Sequence, residues 1–336
     1  MNAAIVWGIL AVLLGGIFNG SFVAPMKKMT GWRWGHGWFV YSITGLVVIP
    51  LLASLLTVPN LWTALATADR GALASSILFG FGWGIGSVLF GVGVDRMGLA
   101  VGYGLILGLI APIGTFVPLI VLHPDQLWTR QGASLLAGTL IVLFGIYLCA
   151  KAGKIREDSG GGTVRARQGF GVALLICFLA GVFSPMLNLS FAFGAGLQRR
   201  AEELGASPNN ATNAIWLVTL LAGFFPNALY ALKRVLDENA LAEFRVNALR
   251  NGLLASLMGI LCFASFLVYG FGATALGDLG PVVGWPLFMS MALITSNTLG
   301  RLSGEWRGAP PRALRYSLAG IGTLIAAIIV ISLGNA

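Results

Sequence analysis

The chain has 336 residues, of which 57% are hydrophobic and only 10% are Asp, Glu, Lys or Arg, against about 25% charged residues in an average soluble domain. So little charge cannot hydrate a globule of this length, and the mean hydropathy of +0.85 names lipid as the solvent. That excludes soluble enzymes, secreted disulfide scaffolds and nucleic-acid binders, although the formal net charge of +9 on its own would suit a phosphate partner.

A helix crossing the hydrocarbon layer of about 30 Å needs about 20 mostly apolar residues. Runs of that kind predict ten spans, at 3–25, 37–57, 72–94, 98–121, 133–151, 169–196, 211–232, 250–274, 281–300 and 313–334. The first is read as a retained helix, since no basic residue precedes it and Lys27 and Lys28 follow it. It carries Asn19 near mid-depth. The third span places Trp83 and Ser87 four residues apart, on one helix face. After the fifth, residues 152–168 read as a cytoplasmic linker, with Ser159-Gly160-Gly161-Gly162 as its flexible part. The sixth span holds Ser184 and Asn188, the seventh Asn213 and Trp216, and the ninth Trp285 and Ser290.

Lys and Arg are distributed unevenly between the connections. The odd ones hold 17 of the 21, among them Lys27, Arg96, Lys154, Lys233 and Arg301, and the even ones hold only Arg70, Arg130, Arg199 and Arg200. Positive connections stay in the cytoplasm, so both termini are predicted to lie outside it.

Short stretches recur five spans apart. Phe90-Gly91-Val92-Gly93 with Met97-Gly98 returns as Tyr269-Gly270-Phe271-Gly272 with Leu276-Gly277, and Gly16-Ile17-Phe18-Asn19 is echoed by Gly181-Val182-Phe183-Ser184. The expected fold is therefore all-α and transmembrane, with a first five-helix repeat at 1–151 and a second at 169–336. Because five is odd, the second repeat enters the membrane from the opposite side. Such inverted repeats are typical of secondary transporters, which bind cargo near the midplane.

The polar groups at that depth are Asn and Ser, with no Asp, Glu, Lys or Arg near any span centre. Unpaired polar groups in hydrocarbon are costly, so these face protein or a wet cavity. Amides and hydroxyls both donate and accept, which suits a neutral polyhydroxylated solute, and an indole packs on the C–H face of a sugar ring. The substrate-binding candidates are Asn19, Trp83, Ser87, Ser184, Asn188, Asn213, Trp216, Trp285 and Ser290. The bland alternatives are interhelical hydrogen bonding for the asparagines and helix packing for the indoles. Trp32, Trp34, Trp38, Trp62, Trp128 and Trp306 lie near predicted interfaces, where a tryptophan belt is the ordinary expectation. Cys149, Cys177 and Cys262 sit in apolar runs without paired spacing, and His36 and His123 have no ligand-type neighbours, so neither metal nor cofactor is expected. No catalytic motif is present, and an enzyme is not expected.

The chain resembles the L-rhamnose–proton symporter family of the drug/metabolite transporter superfamily over nearly its whole length. The resemblance rests on Phe22-Val23-Ala24-Pro25-Met26-Lys27-Lys28, Gly82-Trp83-Gly84-Ile85-Gly86, Met97-Gly98, Gly181-Val182-Phe183-Ser184, Met289-Ser290 and Gly304-Glu305-Trp306. It implies a ten-helix carrier of the bacterial inner membrane for rhamnose or a related deoxyhexose or hexose, usually driven by protons. Sugar carriers of the family have an acidic residue near the start of the ninth span and a His shortly after the Trp, where Pro281 and Phe288 stand here. The coupling partner, a proton or another ion, is left open. Two other readings are an exporter of amphiphilic or amino-acid-like metabolites on the same fold, and a non-transporting membrane sensor.

Overall fold

In a computed structural model, which describes residues 3–97, 99–159 and 170–335, ten helices are long and apolar enough to cross a membrane. They are α1 (Ala3–Lys28), α2 (Trp34–Thr57), α3 (Arg70–Met97), α4 (Gly104–Leu122), α5 (Arg130–Ser159), α6 (Phe170–Glu203), α7 (Pro208–Asp237), α8 (Ala248–Ala275), α9 (Gly280–Leu302) and α10 (Pro311–Gly334). No strand occurs among the described residues. This is a multi-pass helical membrane protein. Leu10, Leu14, Leu52, Leu56 and Leu78 are exposed on its flanks, as expected where lipid takes the place of water.

Most helices run past their apolar runs by a few residues. The largest extensions are in α5, where residues 152–159 continue the helix into the expected linker, and α6, which continues to Glu203. Residues 160–169, including the glycines of that linker, and Gly98 lie outside the described residues.

Internal prolines shape the helices locally. In α6 the α-helix stops at Phe183 and resumes at Met186, with Ser184 and Pro185 in the break. Proline has no N–H and its ring crowds the preceding turn, so a helix interrupts or bends there. A π-helical turn at Thr44–Val48 precedes Pro50 in α2.

The packing follows a regular plan. α1 lies against α8 and α9, while α6 lies against α3 and α4; α3 packs on α7, and α8 on α2. α2 also packs on α7, α4 on α9 and α5 on α10, and chain neighbours such as α4–α5 and α9–α10 touch as well. Small residues allow these approaches, because lipid offers no hydrophobic drive for helices to associate. A Cβ added at Gly20 would lie 2.5 Å from the Ala292 carbonyl oxygen, and one at Gly80 would lie 2.4 Å from that of Thr219. Gly20→Ala should therefore push α1 from α9. Overpacking of this kind costs about 1–3 kcal/mol, and a lowered melting temperature in detergent is the expected result. An unchanged one would show that the two helices part freely.

Outside the membrane segments, Arg33 clasps Glu238 at 3.1 Å and Glu243 at 2.7 Å. The hydrogen bond from Arg33 holds the Glu238 carboxyl below its ordinary range, with Arg234 adding to the effect. Beside this clasp His36 is fully buried, taking the Arg33 backbone N–H on Nδ1 and facing the Ala240 carbonyl through Nε2 at 2.9 Å. That histidine locks a connection.

Candidate functional site

A cavity of about 650 Å³ runs from the middle of the bundle to the ends of α1, α2 and α5 that carry Lys27, Trp34 and Arg156. Its deep walls include Asn19, Trp83, Ser87, Ser184, Phe266 and Trp285. Its charged lining residues are Lys27, Arg156 and Glu305, at the mouth.

The deep groups are held by contacts between neighbouring helices. Trp83 meets Phe266 edge-on at 5.9 Å and packs so tightly on α7 that a Cβ at Gly223 would lie 2.6 Å from its ring. One turn on, the Ser87 hydroxyl donates to Asn227 Oδ1 at 3.0 Å, and the same oxygen accepts the Trp38 indole N–H at 2.9 Å. Asn227 thus orients two cavity walls at once. Asn19 Nδ2 has a single long contact, 3.5 Å to Ser265 Oγ, whose own proton goes to the Cys262 carbonyl. Ser184 sits in the α6 break, and its buried hydroxyl has no protein partner. The break is seated against α3, where a Cβ at Gly86 would lie 2.5 Å from the Ser184 nitrogen. The Trp285 indole N–H donates to the Ile110 carbonyl at 3.1 Å, tying α9 to α4.

Four of the expected site residues lie away from the cavity wall. Asn188 is fully buried; its Nδ2 donates to the carbonyls of Gly114 and Pro281, both at 2.9 Å, and its Oδ1 accepts from Tyr269 OH at 2.5 Å. That knot joins α4, α6, α8 and α9 at the end of the bundle opposite the mouth. Asn213 donates to Thr57 Oγ1 at 2.8 Å and serves the α2–α7 contact. Trp216 has no exposed surface and is stacked between Phe191 at 4.9 Å and Phe266 at 5.6 Å. Ser290 is fully buried with an unpartnered hydroxyl. Depth in the membrane placed these four as candidates, but their helix faces turn toward packing.

Conversely, the cavity contains residues that sequence position assigned to the interface belt or left aside. Trp34, Trp38, Tyr41 and Phe22 form one wall. Their signal was spacing, since 34, 38 and 41 fall on one face of a helix. The mouth carries an ion pair between Lys27 and Glu305, with Arg156 Nη1 3.8 Å from the other carboxylate oxygen. The guanidiniums of Arg156 and Arg301 lie over the Trp306 ring at 5.0 and 5.4 Å. No cluster of metal-ligating side chains occurs among the described residues.

The model of the family described as L-rhamnose-proton symport protein matches residues 1–336. Curated relatives named L-rhamnose-proton symporter, from Escherichia coli (strain ATCC 8739) and Shigella boydii serotype 18, are each 27% identical over 347 residues, covering all of both chains. With the family model matched from end to end, the chain belongs to the L-rhamnose-proton symport protein family.

Proposed function

We propose that this protein is a secondary carrier that moves a neutral sugar, L-rhamnose or a close relative, together with a proton, by alternating access across the bacterial inner membrane. The observation that carries the reading is the composition of the cavity: indoles, amides and hydroxyls at depth, and charge only at the mouth. Indole faces take the C–H face of a pyranose, while Asn19, Ser87 and Ser184 supply donors and acceptors to its hydroxyls. The sugar and the proton are those in the names of the curated relatives.

The architecture we assign is two inverted five-helix repeats, 1–151 and 169–336, of the drug/metabolite transporter type. It is supported by the main long-range helix pairs, which map onto one another when each helix is advanced by five. Thus α1 on α8 corresponds to α6 on α3, and α3 on α7 to α8 on α2, while α2–α7, α4–α9 and α5–α10 map onto themselves. Positive connections stay in the cytoplasm. On that rule the cavity mouth with Lys27 and Arg156 faces the cytoplasm, both termini lie on the other side, and the structure corresponds to an inward-facing state.

The test is counterflow of labelled sugars in proteoliposomes across a panel that includes L-rhamnose. Exchange of rhamnose or a near relative is expected, and Trp83→Ala should weaken its binding about tenfold, or ~1.4 kcal/mol. A panel in which no sugar exchanges, and none raises the melting temperature, would sink the carrier reading.

A further inference from the structure

The cavity is larger than one sugar requires. A deoxyhexose has about eleven heavy atoms, whereas a space of about 650 Å³ falls well inside the range of about 300–1,000 Å³ that holds drug-sized ligands. The cavity extends to the mouth, and the mouth has an aromatic wall of its own. Trp34 and Trp38 are stacked with ring centroids 5.0 Å apart and planes inclined by 21°, and Tyr41 continues the series 4.9 Å from Trp38. All three border the cavity.

This wall is built to keep its shape. Trp38 is fixed by its hydrogen bond to Asn227 Oδ1, and Trp34 is braced edge-on by Tyr230 at 6.0 Å. Trp34 nevertheless stays 39% exposed. Membrane-interface tryptophans do not explain it, because Trp7, Trp62 and Trp128 are exposed without bordering the cavity, the usual arrangement of a belt. A rigid indole presented to a wet chamber is the element that receives the apolar face of a pyranose, and Lys27 and Glu305 border the same mouth with a donor and an acceptor for hydroxyls.

We infer that Trp34, stacked on Trp38, forms a second sugar subsite at the cavity mouth, separate from the deep site at Trp83, so that the carrier in this state holds two monosaccharides. The inference rests on the sugar-carrier reading above. Its test is the stoichiometry of labelled L-rhamnose bound to purified carrier, measured by scintillation proximity. Two sugars per chain are expected in the wild type and one in Trp34→Ala, whose remaining site shows that the fold is intact. A wild type that saturates at one sugar, or a Trp34→Ala variant that still binds two, overturns the second subsite and leaves the carrier reading standing. A wild type that binds no sugar of the panel overturns the carrier reading itself.

Discussion

Asn188→Ala is expected to lower the melting temperature strongly and to abolish sugar exchange. The reason begins with Pro118. In a regular helix the N–H at that position would bond the carbonyl of Gly114, four residues earlier, but proline has none to give. In a membrane the freed carbonyl must find another donor, and Asn188 Nδ2 supplies it at 2.9 Å. The same amide also donates to the Pro281 carbonyl and accepts the Tyr269 hydroxyl proton. Truncation leaves the Gly114 carbonyl without its donor and the Tyr269 hydroxyl with only a 3.4 Å contact to the Pro281 carbonyl, each loss costing about 1–3 kcal/mol. Even with partial relaxation, the sum is a large share of the roughly 5–15 kcal/mol that holds a folded protein together. Asn188→Asp should be no better, because a carboxylate would face two carbonyl oxygens with nothing to donate. Tyr269→Phe removes one donor only and should cost far less. Thermal melts in detergent order the three variants; an Asn188→Ala protein that melts with the wild type would mean the knot contributes nothing to closing this end of the bundle.

The ten helices were legible in the sequence because hydrocarbon imposes one requirement, about 20 apolar residues in a row, and the chain meets it ten times. Their ends were less legible. The charged tail of α5 to Ser159 stays helical beyond the hydrocarbon, where hydropathy carries no signal. At the site, position within the spans offered Asn19, Trp83, Ser87, Ser184 and Trp285 as candidates, and all five border the cavity. It could not separate them from Asn188, Asn213, Trp216 and Ser290, since depth gives no rotation about the helix axis. Trp34 and Trp38 were hidden by the reverse effect. They lie near a helix end, where belts are expected, and only their shared face with Tyr41 distinguishes them from belt residues.

The proton leads to the second large effect. A symporter needs a titratable group that meets the cavity, yet all twelve Asp and Glu residues lie at helix ends or in connections. His36 is buried in the Arg33 clasp and does not border the cavity, and neither does His123. Glu305 is the carboxylate that lines it among the described residues. It stands between Lys27 at the end of α1 and Arg156 at the end of α5, with the Ser303 hydroxyl 3.4 Å away and the Arg-covered ring of Trp306 next in sequence. Protonating it dissolves the Lys27 ion pair and leaves two cations at the mouth without their counter-charge. In Glu305→Gln the side chain keeps its size and can still hydrogen-bond, but it no longer titrates. Counterflow should then persist within a few-fold, while accumulation driven by an inside-alkaline gradient should vanish. For one proton per sugar, one pH unit is worth about 1.4 kcal/mol, or a tenfold concentration ratio. The wild type should therefore approach that ratio and the variant should stop at equality, as read from labelled sugar in proteoliposomes. A Glu305→Gln protein that still accumulates sugar would place the coupling group elsewhere, and a wild type that never exceeds equality would remove the proton from the proposed function.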